Sequence, residues 1–373
     1  MRSFVLILTA LFFELNTAAP IVAQDTSAPS VKLGVTSILS GDLGVLGQNI
    51  VDTITTYTKH FARHRLTVFT EDAKLSSTAG LSAYQKLINI NHVDLIIGGC
   101  SSNGTMAAKA LINASRTPTI TVVTGGRNID QAGPYIFRIG NSDTLNGRQE
   151  ADNFIASGLK RVALLAEETE YTQDIANAFR PRFTELGGTL AFQQNFLPNS
   201  TDFRSEITLI KKAAPQAILM PTQTGTALGI FVKQWREQAG SLDIPIHTSF
   251  VAAPNPDAHK IAGAAILGVY YMAPNYDASN PRWQDFASRY YSDHGRNPPI
   301  PFHTAGTVDA LDLLQKYLDE TPSYSKEGFQ QFLLTRVKNY HGLMGIYSFD
   351  AEGNTDLGFH LARISSASVA AMD

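Results

Sequence analysis

Short apolar runs alternate with amphipathic stretches along the first third of the chain. The apolar runs are rich in β-branched residues and nearly continuous in apolar character, as in parallel strands covered on both faces. The stretches between them carry apolar residues at helical spacing. This alternation predicts βαβ units and a parallel sheet. The predicted strands span residues 31–39, 66–71, 93–97 and 119–123, and the predicted helices span residues 50–61, 78–90 and 105–114.

The same pattern restarts at residue 161 without obvious sequence identity to the first part. It predicts a second doubly wound lobe of similar architecture, and a length of 373 residues suits two domains. The predicted strands span residues 161–166, 189–196, 216–220 and 244–248. The predicted helices span residues 171–186, the stretch from a cap at Asp202 to residue 213, and residues 226–239.

The last third of the chain has a less regular pattern. It predicts a strand at residues 266–272, helices at 283–293 and 304–318, and a closing hairpin formed by residues 342–349 and 359–364. We expect these segments to be distributed between the two lobes. That distribution requires the chain to cross between the lobes more than once.

The first 23 residues have the pattern of a secretory signal peptide. Arg2 supplies the positive start, residues 4–13 supply a short apolar core, and Ala23 precedes the predicted cleavage site. The core is too short to span a bilayer; the alternative interpretation is a buried N-terminal strand. We therefore expect a soluble mature protein that is exported.

Composition and charge argue against several functions. The formal net charge of −3 gives no basic surface for nucleic acid. His60 and His64 have i, i+4 spacing but no acid between them, which favours a solvated face over a metal site. The sequence has neither a phosphate-binding loop nor a dinucleotide fingerprint. We predict no metal and no cofactor.

The segment IIGGCSSNGT, residues 96–105, combines a strand end, a glycine turn and a helix start. Backbone N–H groups and the dipole at a helix start attract anions. Ser101, Ser102 and Thr105 add hydroxyl groups there, and Cys100 is predicted to form a wall of the pocket. The alternative is simple capping of the helix, which needs no ligand.

Two further segments follow strand ends in the same way. Thr124, Gly125 and Gly126 follow the fourth strand, where glycines let backbone N–H groups approach a ligand. Tyr171 follows the first strand of the second lobe and is placed to stack against a ligand. The alternatives are a plain turn for the first segment and a helix cap for the second.

A nucleophilic role for Cys100 or Ser101 is disfavoured by the residues around them. A hydrolase elbow requires the pattern Gly-x-nucleophile-x-Gly. Ser102 stands where Cys100 would need the second glycine, and Asn103 stands where Ser101 would need it. We expect that the protein is not an enzyme.

With these segments in this order, the chain resembles the leucine/isoleucine/valine-binding protein family, the periplasmic receptors of amino-acid and amide ABC importers. The resemblance runs from residue 31 to residue 364. It implies an α/β fold of the type I periplasmic binding protein class, with two Rossmann-like lobes joined by three hinge crossovers. The segments that carry it are VKLGVTSILSGDLGVLG, DLIIGGCSSNGT, GPYIFRIGNSDTLNG, RVALLAEETEYTQD, NSTDFRSEITLIK and YSFDAEGN.

The resemblance also implies where the lobes are divided. The crossovers are expected near residues 141–144, 271–275 and 340–346. The N-terminal lobe then comprises residues 31–142 plus 273–341, and the C-terminal lobe comprises residues 143–272 plus 342–365.

In family members that bind amino acids, a serine at the position of Ser101 and the segment at residues 124–126 hold the ligand carboxylate. An aromatic residue at the position of Tyr171 covers the ligand side chain. These roles are what the resemblance implies for this chain. They agree with the anion site predicted from the residues themselves.

The side of the site that holds the ammonium group departs from the family. Phe250 stands where amino-acid binders carry an acid, and a loop with Gln223 replaces the usual tyrosine. Since a buried ammonium without a carboxylate is costly, a plain α-amino acid is disfavoured. With Phe250 and Phe302 as apolar walls, we predict a hydrophobic or aromatic carboxylate, or an amide.

The resemblance implies a solute-binding component of an ABC importer that delivers its ligand to a membrane permease. We expect a monomer whose partners are a small molecule and that permease. The alternatives are a branched-chain amino-acid binding protein and a ligand-sensing receptor component of the same fold.

Overall fold

Five parallel strands form a first sheet in the order β2-β1-β3-β4-β5. The computed structural model describes residues 30–41, 43–99, 101–239, 244–355 and 357–365. The predicted signal peptide and Cys100 lie outside these residues. The five strands are β1 Val31–Ser37, β2 Leu66–Asp72, β3 Leu95–Gly98, β4 Thr119–Thr121 and β5 Ile136–Arg138.

Six strands form a second sheet in the order β13-β10-β9-β8-β6-β7. Its strands are parallel except for β13, which pairs antiparallel with β10. A separate hairpin joins β11 to β12. These strands are β6 Arg161–Glu167, β7 Thr189–Phe196, β8 Ala217–Met220, β9 Ile246–Thr248, β10 Tyr270–Pro274, β11 Tyr340–Gly342, β12 Gly345–Tyr347 and β13 Phe359–Arg363.

Helices connect the strands, and several begin at a Ser or Thr whose side chain accepts a hydrogen bond from a backbone N–H group. In the first half they are α1 Gly44–His60, α2 Ser77–Gln85, α3 Ser102–Ala107, α4 Lys109–Ala114, α5 Asp143–Ala156 and α6 Glu170–Glu185. In the second half they are α7 Arg204–Ala213, α8 Gly225–Ala239, α9 Pro256–Ala262, α10 Pro281–His294, α11 Pro301–Glu320 and α12 Lys326–Arg336.

Each sheet is covered on both faces, so that each forms one lobe. Helices α1 and α10–α12 pack on one face of the first sheet, and α2 and α4 pack on the other. We call this unit lobe 1. The second sheet has α7–α9 on one face and α5 and α6 on the other, and we call this unit lobe 2. The predicted α/β fold with two doubly wound lobes is confirmed.

The chain crosses between the lobes in three segments that are hydrogen-bonded to one another. The first crossover contains Asn141, whose amide donates to the carbonyl of Gly358 (2.6 Å) and accepts from the N–H of Leu357 (2.7 Å). The second contains Asn275, whose side chain donates to the carbonyl of Leu357 (3.0 Å). Two asparagines therefore bind the third crossover, at residues 357–358, to the other two.

The third crossover was expected near residues 340–346, and this prediction is wrong. Leu343 and Tyr347 are buried in the core of lobe 1. The N–H of Arg138 donates to the carbonyl of Gly353 (2.9 Å), which holds the following turn against β5. Residues 342–355 therefore belong to lobe 1, because their apolar side chains complete its core.

The prediction that residues 342–349 and 359–364 pair as a closing hairpin is also wrong. Residues 340–347 form a hairpin by themselves, with Tyr340 opposite Tyr347. Residues 359–363 instead pair with β10, with Phe359 opposite Pro274. The pattern identified both segments as extended, but their pairing depends on the core that each one covers.

Other differences are local. The predicted strand at residues 266–272 begins only at Tyr270, because a 3₁₀ turn at Gly263–Ile266 and a positive φ of 87° at Gly268 precede it. The predicted helix at residues 105–114 divides at Ala108 into α3 and α4. The pattern missed β5, α5, α9 and α12. Within the part of the chain that the structure describes, no helix has the length and apolar character to cross a membrane.

Candidate ligand-binding cleft

A cavity of about 290 Å³ lies between the two lobes. Its walls come from the loops that follow β3, β4 and β5 in lobe 1 and β6, β8 and β9 in lobe 2. Ligands of open α/β sheets bind at these carboxyl ends of parallel strands. The helix start at Phe302 and the tip of the β11–β12 hairpin at Met344 complete the walls.

Most of the predicted site residues line this cavity. Gly126 does not line it but adjoins it, because its N–H donates to Oγ of Ser102 (3.1 Å). Cys100 lies outside the described residues. The predicted residues that line the cavity are Ser101, Ser102, Thr124, Gly125, Tyr171, Gln223, Phe250 and Phe302.

Two glycines allow the chain to turn into the cavity after β3. Gly98 and Gly99 have φ values of 136° and 72°, which L-amino acids rarely adopt. A Cβ atom on Gly98 would lie 2.1 Å from the carbonyl oxygen of Thr36, so a side chain there would clash with β1. The glycine pair therefore places Ser101 and Ser102 at the strand end.

Three hydroxyl groups at the cavity, those of Ser101, Ser102 and Thr124, are hydrogen-bonded to backbone groups. Oγ of Ser101 caps α3 by accepting from the N–H of Gly104 (3.2 Å), so the capping alternative is realised. Thr124 donates to the carbonyl of Gly99. Because one hydroxyl can both donate and accept, capping leaves the proton of Ser101 available to a ligand. We call Ser101, Ser102, Thr124 and Gly125 the hydroxyl cradle.

Thr105 and the first residues of α6 make hydrogen bonds within the fold rather than offering groups to a ligand. Oγ1 of Thr105 lies 3.2 Å from the hydroxyl of Tyr84, and Thr105 does not line the cavity. Thr169 caps α6 and forms a reciprocal capping box with Thr172. Tyr171 is therefore not needed as a cap, and its ring lines the cavity.

Three aromatic rings from both lobes form a second wall, which we call the aromatic wall. The ring centroids of Tyr171 and Phe250 are 5.9 Å apart with an interplanar angle of 79°. Those of Phe250 and Phe302 are 5.3 Å apart with an angle of 84°. These are edge-to-face contacts of the favourable kind. Phe250 and Tyr171 come from lobe 2, and Phe302 comes from lobe 1.

Gln223 reaches the cavity on a loop held by a buried acid. Oε2 of Glu167 accepts hydrogen bonds from the hydroxyl of Thr222 (2.7 Å) and the N–H of Gln223 (2.6 Å). Glu167 is fully buried at the end of β6. These hydrogen bonds to Glu167 hold the loop that carries Gln223.

The predicted site residues did not include four ionisable residues of the cavity: Arg138, Asp143, Glu170 and His303. Arg138 ends β5 and is buried, with Nη2 2.7 Å from Oδ1 of Asp130. Its Nε and Nη1 have no hydrogen-bond partner within the described residues. Burial lowers the pKa of His303 to about 3, so its imidazole is neutral.

Asp143 lies directly against the hydroxyl cradle. Its N–H donates to the carbonyl of Gly125 (2.8 Å), and a Cβ atom on Gly125 would lie 2.3 Å from its Oδ1. Burial is the main cause that raises the pKa of Asp143 well above its ordinary value, and the charge of Asp174 adds to it. The Arg138 guanidinium acts in the opposite direction.

The fold and the cleft define a class, the two-lobed binding proteins that enclose a small solute at a hinge. The match to a family model places the chain within that class. The chain belongs to the periplasmic binding protein family, whose model matches residues 30–367.

Relatives of known name agree with this assignment. The Leu/Ile/Val-binding protein homolog 6 of Brucella abortus is 20% identical over 309 residues, which cover 81% of this chain and 79% of the relative. The leucine-binding protein LivK of Thermotoga maritima superposes with a TM-score of 0.77 and 21% identity, covering 90% of this chain and 99% of LivK. An ABC-transporter solute-binding protein of R. palustris in complex with 4-hydroxybenzoate superposes with a TM-score of 0.80 and 18% identity. The superposition covers 91% of this chain and 94% of the R. palustris protein.

Proposed function

We propose that the protein captures a small aromatic carboxylate between its lobes and delivers it to the membrane permease of an ABC importer. The observation that carries this proposal is the aromatic wall of Tyr171, Phe250 and Phe302 standing in one cavity with the hydroxyl cradle. The wall suits an aromatic ring. The cradle suits an oxyanion, because hydroxyl and backbone N–H groups donate to it.

The size of the cavity supports a ligand with a single ring. Its volume of about 290 Å³ is at the lower end of the range for small-molecule pockets, about 300–1,000 Å³. The remaining lining is mixed, with Val122, Val251 and Pro274 beside polar residues such as Asn103, Asn141 and Gln223. A small, flat molecule with an apolar ring and one anionic end matches these walls.

Phe250 favours an aromatic carboxylate over an amino acid as the ligand. The resemblance implies that it replaces the family's ammonium-binding acid, and its ring contacts those of Tyr171, Phe302 and Phe359. A ligand ammonium at this wall would be desolvated without a counter-charge, which is costly. The R. palustris protein of the same fold was solved with 4-hydroxybenzoate bound.

The second candidate is a branched-chain amino acid, and Asp143 is the observation that favours it. This carboxyl group lies in the cavity beside the cradle, where an ionised form would attract an ammonium group. Burial opposes that ionised form. The first candidate is therefore preferred.

The proposal includes export by the predicted N-terminal signal peptide and function in the periplasm as a monomer. Binding and lobe closure are the whole mechanism, and no covalent chemistry takes place in the cleft. The hinge segments at Asn141 and Asn275 carry the closure, since both hydrogen-bond the third crossover.

A thermal-shift screen of the mature protein tests the proposal. The panel contains 4-hydroxybenzoate, benzoate, aliphatic carboxylates, benzamide, leucine and valine. A true ligand at 100 times its Kd adds about 2.7 kcal/mol to the free energy of unfolding. The proposal predicts stabilisation by the benzoates and none by leucine or valine. The reverse order would overturn it.

A further inference from the structure

Asp143 is an acid in a cleft that we propose holds an anion. Its side chain is buried and lines the cavity. A Cβ atom on Gly125 would clash with its Oδ1, so the carboxyl group lies beside the glycine of the hydroxyl cradle. The carboxyl group therefore faces the place where the ligand oxyanion would bind.

The charges around Asp143 do not neutralise it. Arg138 is the one cation among the groups that act on it; its Nη2 is paired with Asp130, and its Nε and Nη1 have no partner within the described residues. The acids Glu170 and Asp174 on α6 of lobe 2 act on Asp143 in the opposite direction. The ionisable groups that face Asp143 are Arg138 on β5, Asp130 on the 3₁₀ turn Arg127–Gln131, Glu170, Tyr171 and Asp174 on α6, and His303 on α11.

An ionised Asp143 would repel the ligand strongly in this setting. Two like charges interact more strongly as water is excluded from between them. The start of α5 favours the ionised form of Asp143 only modestly, because the dipole of a helix N-terminus acts weakly on a single charge. A proton on Asp143 removes the repulsion and supplies one more donor to the ligand.

We infer that Asp143 receives the ligand carboxylate as a neutral acid, donating its proton in a hydrogen bond, so that capture takes up one proton. This inference rests on the proposed function. The proton comes from solvent and stays on Oδ1 or Oδ2 of Asp143 or is shared with the ligand oxygen. No covalent bond other than O–H is formed.

The direction of the pH dependence follows from this geometry. Separation of the lobes would hydrate the cleft and withdraw Asp174 of lobe 2, which would bring the pKa of Asp143 closer to its ordinary value. In the structure, burial and Asp174 raise that pKa. Because the bound state holds more protons, affinity falls as pH rises, by at most about tenfold per pH unit between the two pKa values.

Calorimetric titration of the mature protein with 4-hydroxybenzoate tests the inference. Titrations at about pH 7 in two buffers of different ionisation enthalpy give the number of protons taken up, which we expect to approach about one. Asp143→Asn should still bind, with no proton uptake and no change of Kd between about pH 6 and about pH 8. Glu170→Gln is the matched control, since burial also raises the pKa of Glu170; its proton uptake should persist.

The outcomes separate this inference from the proposed function. Wild-type protein that binds 4-hydroxybenzoate without proton uptake overturns the proton coupling and leaves the proposed function standing. Uptake that persists in Asp143→Asn also overturns it, because the proton then resides elsewhere. Loss of 4-hydroxybenzoate binding in a folded Asp143→Asn protein would also overturn the inference, because a neutral side chain that can donate a hydrogen bond would then fail to replace the neutral acid. No heat with any benzoate overturns the proposed function and this inference together.

Discussion

The backbone N–H of Arg127 in lobe 1 donates a hydrogen bond to Oδ2 of Asp174 in lobe 2, over 2.9 Å. Beside it, the side-chain amide of Asn128 donates to Oε1 of Glu170 over 3.1 Å. Both acceptors lie in the first turns of α6. Both donors lie in the segment after β4, which begins with Thr124 and Gly125 of the hydroxyl cradle. One loop therefore contacts both the ligand cavity and the opposite lobe.

Asp174→Ala should weaken ligand binding, because its carboxyl group accepts a hydrogen bond from lobe 1 and does not line the cavity. The loss of a hydrogen bond of this kind corresponds to about 1 kcal/mol, or about fivefold in Kd. Stopped-flow measurements should show the change mainly in the dissociation rate. Asp257→Ala, an exposed acid on α9 of the same lobe, serves as control and should leave Kd unchanged. An unaltered dissociation rate in Asp174→Ala would refute the closing role.

Ser101→Ala should reduce both stability and affinity, whereas Ser76→Ala should reduce stability alone. Both serines cap helices of lobe 1, at 3.2 Å and 3.3 Å, and loss of such a cap costs about 1 kcal/mol. Only Ser101 lines the cavity. Its loss should weaken ligand binding by a further 1–3 kcal/mol, a rough value for a hydrogen bond to a charged group. Denaturation and calorimetry on the two variants would separate the roles, and equal affinities would mean that Ser101 is only a cap.

Phe250→Ala should weaken binding of 4-hydroxybenzoate at least about tenfold, since the central ring of the aromatic wall is removed. Phe192→Ala provides the comparison, because Phe192 packs against the core of lobe 2 and does not line the cavity. It should lose stability without losing affinity. Fluorescence or calorimetric titration measures both. Comparable affinities in the two variants would contradict the assignment of the wall.

His303 should make the ligand-free protein less stable as pH falls. Its pKa is about 3 in the folded protein, against an ordinary value of about 6.5. Between these values the unfolded chain binds more protons, so the free energy of unfolding decreases with falling pH, by up to about 1.4 kcal/mol per pH unit. His303→Gln should remove this part of the slope.

Urea titrations of wild type and His303→Gln at about pH 6.5 and about pH 4.5 measure that difference. Asp309, whose pKa burial raises to about 6, acts in the opposite direction but equally in both proteins. The comparison therefore isolates the imidazole. Parallel pH profiles of the two proteins would show that His303 does not stay neutral in the fold.

The sequence pattern predicted those parts of the cleft that follow apolar runs recognisable as strands. Ser101, Thr124 and Phe250 each follow such a run, so their common edge could be inferred. Arg138 and Asp143 were missed because β5 consists only of Ile136, Phe137 and the charged Arg138, which shows no strand period. The environment of this segment in the sheet decides its conformation more than its own sequence does.

The third crossover shows a second limit of the sequence pattern. The segments at residues 340–347 and 359–363 were both recognisable as extended, yet each pairs elsewhere than predicted. Their partners are chosen by burial of Leu343 and Tyr347 in lobe 1 and by the free edge of β10 in lobe 2. Such choices depend on the assembled cores, which local periodicity does not contain.

The most direct test of the central claim is a pair of calorimetric titrations of the mature protein, one with 4-hydroxybenzoate and one with leucine. The aromatic wall at Phe250 and the hydroxyl cradle predict that 4-hydroxybenzoate binds at one site per chain and that leucine gives no binding heat. Saturable binding of leucine with no binding of 4-hydroxybenzoate would contradict the account.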